Sequence, residues 1–340
     1  MKFDESDNLS FIHNEENPLD TDVMIVDEFS MVDLMLFESL LLALKPTTRI
    51  ILVGDANQLP SVACGCILSD FMNCSSLPVV ELAQVFRQAA KSLIVRNAHD
   101  IIMGDMPKLD RNDSDFFFIN EFDRYRAQRT IVSLVCDRLP KKYGFSPTTD
   151  IQVLCPGKLG GLGTVSLNAI LQEHINTSSD DKGQIKFGNV FFREGDKIMQ
   201  NKNDYNIDWL RDDGAVGSGI FNGDIGKIER IDHLNSLAHI RFEDKVCKYT
   251  FEMLGEIEHA YAVTVHKSQG SEFDAVILPL MGQHKNLHYR KLLYTAVTRA
   301  KKILIIVGEE STVREMVRNN RKNLRYSTLL NFLEEELEKI

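Results

Sequence analysis

The sequence lacks any apolar run long enough for a transmembrane helix. Its first residues lack the charged-then-apolar order of a secretory signal. Cysteine is sparse: six residues, scattered at 64, 66, 74, 136, 155 and 247. Cys64 and Cys66 stand too close for the usual zinc spacing, and no His pair completes a site. Reduced thiols in a cytosolic protein are the expectation. An excess of basic charge is also missing, with 39 Lys and Arg against 49 Asp and Glu, a net charge of −10. A protein that coats nucleic acid is usually basic, so any such contact is expected in a groove. Internal repeats and low-complexity tracts are absent. What is present is an apolar fraction of 44% over 340 residues, enough for two compact domains and an insertion.

The chain is organised around 21–30, where an apolar run at 23–26 ends in Asp27 and Glu28. This pattern predicts a buried parallel strand that delivers two carboxylates to its C-terminal edge, where ligands of open α/β sheets sit. Paired acids there suit hydrated magnesium, although acids at the first turn of a helix are also common. A second strand at 49–53 leads into Gly54, Asp55 and Gln58.

In order, 1–22 reads as an acidic surface arm. A helix is expected over 31–44, capped by Ser30, then the strand 49–53, a short helix 67–73, a strand 78–82 and a helix 92–103. These make 23–103 a first, incomplete α/β unit. Residues 104–149 read as a junction carrying one helix, 124–139. A second α/β unit is expected over 150–218 and 258–340, including strands at 151–154, 197–200, 261–265, 274–280 and 303–307, helices at 164–175 and 290–300, and an acidic tail helix at 327–340. Between its halves, 219–257 has short strands and turns, the pattern of a small β-barrel insertion. The expected class is α/β, with two parallel-sheet domains and that insertion.

Five segments occur in a telling order: IVDE at 25–28, GDANQLP at 54–60, VFRQ at 85–88, VHKSQGSE at 265–272 and YTAVTRA at 294–300. They resemble motifs II to VI of superfamily 1B DNA helicases, in particular the RecD-like group that includes the exonuclease V alpha subunit and its stand-alone relatives. The resemblance runs from about residue 14 to 308. It implies two RecA-like domains, an SH3-like barrel, use of ATP and Mg2+, 5′ to 3′ movement on single-stranded DNA, and work in DNA repair and recombination. It also implies roles. Asp27 would hold magnesium and Glu28 would polarise the attacking water. Gln58 would contact the γ-phosphate or its water. Arg87 and Arg299 would reach that phosphate from two sides of a cleft, since a guanidinium pairs bidentately with phosphate and stays charged. Gly270 would let backbone approach the phosphates and Glu272 would contact the ribose. Thr264, His266, Lys267 and Ser268 match the stretch that lies along single-stranded DNA. Asn222, Gly223 and Tyr205 match further DNA-contacting segments. Tyr205 and Trp209 either stack bases or pack against the barrel.

One element of the resemblance is missing. The phosphate loop G-x-x-x-x-G-K-[ST] does not occur in these 340 residues. Gly157 with Lys158, and Gly226 with Lys227, lack the second glycine and the following hydroxyl residue. The expectation is the C-terminal portion of a helicase, with little or no ATPase activity as written, working with a missing N-terminal portion or with other helicase–nuclease subunits. The competing expectation is a non-catalytic module that binds single-stranded DNA or assembles with a partner. No membrane association is expected.

Overall fold

The computed structural model describes residues 2–3, 9–82, 91–111, 115–282, 285–320 and 328–337. Its frame is a five-stranded sheet in the order Ala262–Thr264, Ile151–Cys155, Phe273–Leu280, Ala300–Gly308, Phe116–Asn120. Every neighbouring pair is parallel. Near-continuous apolar strands suit a sheet covered on both faces. Leu154, Val276, Leu278, Leu304 and Ile306 face a core shared with helices Leu93–Met103, Arg290–Thr298 and Glu310–Arg318. Ile151, Val153, Ile277, Ile303 and Ile305 face the opposite way, toward helices Arg124–Ser133 and Thr164–Ile175.

Three expected boundaries shift. The stretch 104–149 is more than a junction: its apolar strand Phe116–Asn120 finds shelter as the fifth strand, pairing in parallel with Ala300–Gly308. The helix Leu93–Met103, assigned to the first unit, turns Leu93, Ile94, Ala98 and Ile101 into the second unit's core. The tail helix Leu329–Leu337, assigned to the second unit, instead lies against Ile67–Asn73 of the first.

The insertion is also wider than 219–257. Seven antiparallel strands run in the order Val216–Ile220, Asp204–Arg211, Lys245–Thr250, Leu237–Phe242, Ile225–Asp232, Lys197–Gln200, Ile257–His259. Lys197–Gln200, expected in the parallel sheet, pairs antiparallel on both sides. This sheet encloses its own core around Ile198, Ile228, Ile240 and Tyr249.

The first lobe is small. Val23–Val26 pairs in parallel with Arg49–Leu52. Beneath them Phe29, Phe37 and Ile67 form a compact core, with Phe29 and Phe37 edge to face at 5.2 Å. The expected 31–44 helix is split. A 3-10 turn, Phe29–Met31, carries Phe29 inward, and the α-helix Leu34–Leu42 starts only after Asp33. Asp33, not Ser30, is the cap, accepting from Met35 N and Leu36 N at 3.0 Å. Residues 78–82 form no strand; Val80 is 86% and Leu82 92% exposed. Extended chain needs a neighbour to pair with, and none lies there among the described residues. None of the described helices is long and apolar enough to cross a membrane.

Candidate functional site

The two strands of the first lobe end side by side. Val53 N donates to Val26 O and Phe29 N to Val53 O, both at 2.8 Å, so the turns that follow are stitched together. Asp27 is exposed at this edge, and its Oδ1 accepts from Glu28 N at 2.7 Å. Glu28 has a φ of 49°, the left-handed region that strains any residue with a Cβ. Among the described residues, no group of three or more His, Cys, Asp or Glu forms a metal nest. A single carboxylate at a strand end still fits magnesium, which keeps several waters and is commonly held by one or two carboxylates plus phosphate.

The loop 54–60 crosses to the second lobe. Arg299 Nη2 donates to Gln58 Oε1 at 3.0 Å, and Nη1 to Ser271 O at 3.3 Å. Arg299 is only 4% exposed, and its buried Nε has no acceptor among the described residues. A buried donor without an acceptor is costly, so this guanidinium suits an incoming anion. Four more contacts fasten the same loop. Tyr294 OH donates to Asp55 Oδ2 at 2.7 Å, and Lys291 Nζ to Ala56 O at 2.7 Å. Leu59 N donates to Thr295 Oγ1 at 3.0 Å, and Gln269 Nε2 to Leu59 O at 2.9 Å. Burial, reinforced by the Asp55 carboxylate, raises the Tyr294 phenol pKa well above its ordinary value. Leu59 itself is 1% exposed within the second lobe's core.

The remaining expected residues divide. Arg87 lies outside the described residues. Gly270 is exposed with a φ of +75°; an added Cβ meets nothing within 4 Å, so conformation rather than crowding favours glycine. Glu272 is exposed and pairs with Lys301 at 3.4 Å, outside the Arg299–Gln58 contact. Thr264 caps the turn Val265–Ser268, and the buried Ser268 hydroxyl donates to Val265 O at 2.9 Å. Lys267 Nζ is held by Glu258 at 2.7 Å and Asn201 at 2.5 Å. His266 is partly buried, 3.5 Å from Tyr289 OH, and burial lowers its pKa.

In the insertion, Asn222 N donates to Asn203 Oδ1 at 2.9 Å beside Gly223, whose φ is +98°. Tyr205 meets Phe221 edge to face at 5.6 Å. Trp209 packs against the barrel core, with Arg211 and Lys245 about 5 Å from its ring. An added Cβ at Gly217 would lie 2.3 Å from the indole, so packing decides between the two readings of Trp209.

Three family models match: a UvrD-like helicase C-terminal domain over 259–307, an ATP-dependent RecD-like DNA helicase SH3 domain over 167–242, and an AAA domain over 1–64. The chain is 33% identical over 301 residues to the ATP-dependent RecD2 DNA helicase of Deinococcus radiodurans, covering 88% of this chain and 38% of that protein. It is 29% identical over 321 residues to the RecBCD enzyme subunit RecD of Mycobacterium tuberculosis, covering 90% and 53%. These matches make most of the chain similar to RecD-like helicases. In fold it is similar to Bacteroides Pif1 helicase solved with ADP-AlF3 and ssDNA, with a TM-score of 0.51 at 18% identity over 99% of this chain and 81% of that one. The RecD-like chain thus spans about a third to a half of the length of the curated relatives named here.

Sequence reasoning missed four residues of the lobe junction in this RecD-like chain: Gln269, Lys291, Tyr294 and Thr295. For the last three the signal was available. Positions 291, 294, 295 and 298 recur at three- and four-residue steps, so they share one face of the helix that leads to Arg299.

Proposed function

We propose that this chain is the part of an ATP-dependent, 5′ to 3′ DNA helicase that senses the γ-phosphate and grips single-stranded DNA. The observation that carries the reading is the buried Arg299, bonded to Gln58 of the opposite lobe and holding an N–H without an acceptor among the described residues. A triphosphate in that cleft would offer the missing acceptor, and Arg299 would release or share Gln58 as the phosphate arrives. Asp27 is the residue to hold Mg2+, which supplies charge neutralisation on the phosphates when bound. Glu28, on the same turn, is the residue to orient and polarise a water. Gly270 is proposed to admit phosphate to the backbone, and Glu272, if freed from Lys301, to reach a ribose. Arg87 is proposed as the second guanidinium from the motif resemblance alone.

The strand path is proposed along the turn after Ala262–Thr264. The hydroxyls of Thr264 and Ser268 are engaged internally, so His266 and the turn's backbone amides carry the contact, with Lys267 supporting from its ion pair. Asn222, Gly223 and Tyr205 extend the path across the barrel. The partner would then be single-stranded DNA.

The test is nucleotide binding and phosphate release by the 340-residue chain, with and without oligothymidylate. Weak ATP-analogue binding that disappears in Arg299→Ala, with negligible turnover, is expected. DNA-stimulated hydrolysis that is lost in Glu28→Gln would refute the inactivity. DNA binding with no nucleotide affinity at all would favour the non-catalytic module.

A further inference from the structure

The five-stranded sheet has a second face, away from the first lobe, and the helical stretch that covers it has an unusual composition. Residues 123–143 hold six basic side chains and two acids in a chain of net charge −10. The stretch runs as Arg124–Ser133, a π-helical turn Leu134–Arg138, and Leu139–Tyr143. Such wide turns concentrate at functional sites. Arg124, Arg126, Arg129, Arg138, Lys141 and Lys142 are all exposed.

The acids nearby are already engaged. Asp123 caps the helix, accepting from Arg126 N at 2.8 Å. Asp137 pairs with Lys141 at 2.5 Å. Glu173, on the facing helix, pairs with Arg193 at 2.6 Å. Aromatic rings stand at both ends of the basic stretch. Tyr125, 63% exposed, lies 5.0 Å from the Arg124 guanidinium. Tyr143 stacks on Phe145 at 5.6 Å and carries Lys142 at 5.1 Å. Between this stretch and the helix Thr164–Ile175 opens a cleft of about 670 Å³, whose lining includes Tyr125, Gln128, Arg129, Asp137, Ile170 and His174. That volume lies within the range of small-ligand clefts, large enough for a flipped-out base.

We propose that this flank is a second nucleic-acid site, separate from the turn at Val265–Ser268, which holds single-stranded nucleic acid by phosphate pairing along 124–142 and base stacking on Tyr125. Basic side chains alone would suit any polyanion. An exposed ring beside a cleft, as Tyr125 is, is what a strand with unstacked bases needs and what an acidic peptide does not. The stretch is about 30 Å long at 1.5 Å per residue, enough for several nucleotides.

The experiment uses the full 340-residue chain with labelled oligothymidylate and oligouridylate, read by anisotropy across salt concentrations. The exposed triple variant Arg126→Gln, Arg129→Gln, Lys142→Gln should weaken binding roughly tenfold at low salt and flatten the salt dependence. Tyr125→Ala should weaken it roughly tenfold with the salt dependence unchanged. Bromouridine-substituted strands should crosslink to Tyr125. Equal loss for both sugars supports the shared chemistry. A loss confined to one sugar also supports the site and identifies its strand. Unaltered binding in every variant, no crosslink on this flank, or displacement of the strand by a polyglutamate peptide at lower concentration than by oligothymidylate would each overturn it. His266→Ala reports separately on the other path, so failure at one site is distinguishable from failure at the other. Unchanged thermal midpoints confirm that the variants are folded.

Discussion

Tyr294 illustrates how much one hydroxyl decides. Its O–H bridges to Asp55 across the lobes at 2.7 Å in a partly buried setting. Tyr294→Phe keeps the ring and leaves that carboxylate oxygen without its partner, a loss of about 1–2 kcal/mol. Amide hydrogen exchange should quicken at 55–59 and stay unchanged in the barrel; equal protection in both proteins would show that the bond does not hold the loop. Lys197 shows a second kind of dependence. It is fully enclosed at the base of the insertion, with Nζ on Gln152 Oε1 at 2.9 Å. Burial pulls its pKa down to about 7, with Asp150 opposing the drop. The sign follows. The unfolded chain takes up a proton below its ordinary lysine value while the folded chain refuses it until near pH 7, so stability rises with pH across that window. Lys197→Met should remove this rise. Urea midpoints at the two ends of the window, compared between the proteins, measure it, and parallel curves would show that Lys197 is not the group responsible.

Elements were legible wherever their pattern was local. The strand 23–26, the helix Thr164–Ile175 and the short helix Ile67–Asn73 follow from apolar spacing and flanking breakers, although the strand, expected to be buried, leaves one face exposed. Allegiance was not legible. The apolar face of Leu93–Met103 would suit either lobe, and nothing within it says that Arg290–Thr298 is its partner. Phe116–Asn120 fell inside the expected junction because its strand mate begins only at Ala300. The Gln58–Arg299 contact joins residues 241 positions apart, and only the motif resemblance pointed to it. The first lobe's sheet raises an element-scale prediction. Its strands alternate exposed and half-buried, leaving Ile25 63% and Ile51 43% exposed on one face. Adjacent apolar groups on a flat strand pair bind hydrophobic dyes and favour association. Ile25→Thr with Ile51→Thr should lower anilinonaphthalene sulfonate fluorescence and slow aggregation, with unfolding midpoints shifted by no more than about 0.5 kcal/mol. Undiminished dye binding would place the sticky surface elsewhere.

At the scale of the whole molecule, the lobes differ in depth of core. The second lobe has extensive apolar layers on both faces of its sheet, and the first rests on Phe29, Phe37 and Ile67. Local stability follows core size, so exchange protection should be lower over 23–53 than over 151–155 and 273–308. Leu59 is the exception. It belongs by sequence to the first lobe but sits in the second lobe's core at 1% exposure. Leu59→Ala should therefore destabilise by about 3–5 kcal/mol, with the loss appearing in the unfolding of the second lobe. A loss confined to the first lobe would contradict this placement.

That one leucine acts as a dowel. A segment pinned in this way travels with the body it is plugged into, whatever body it was drawn from. If the lobes ever swing apart, the strain will gather in the few bonds on either side of the pin, between Gly54 and Pro60, and the strands behind them will feel the pull before any other part of their lobe does.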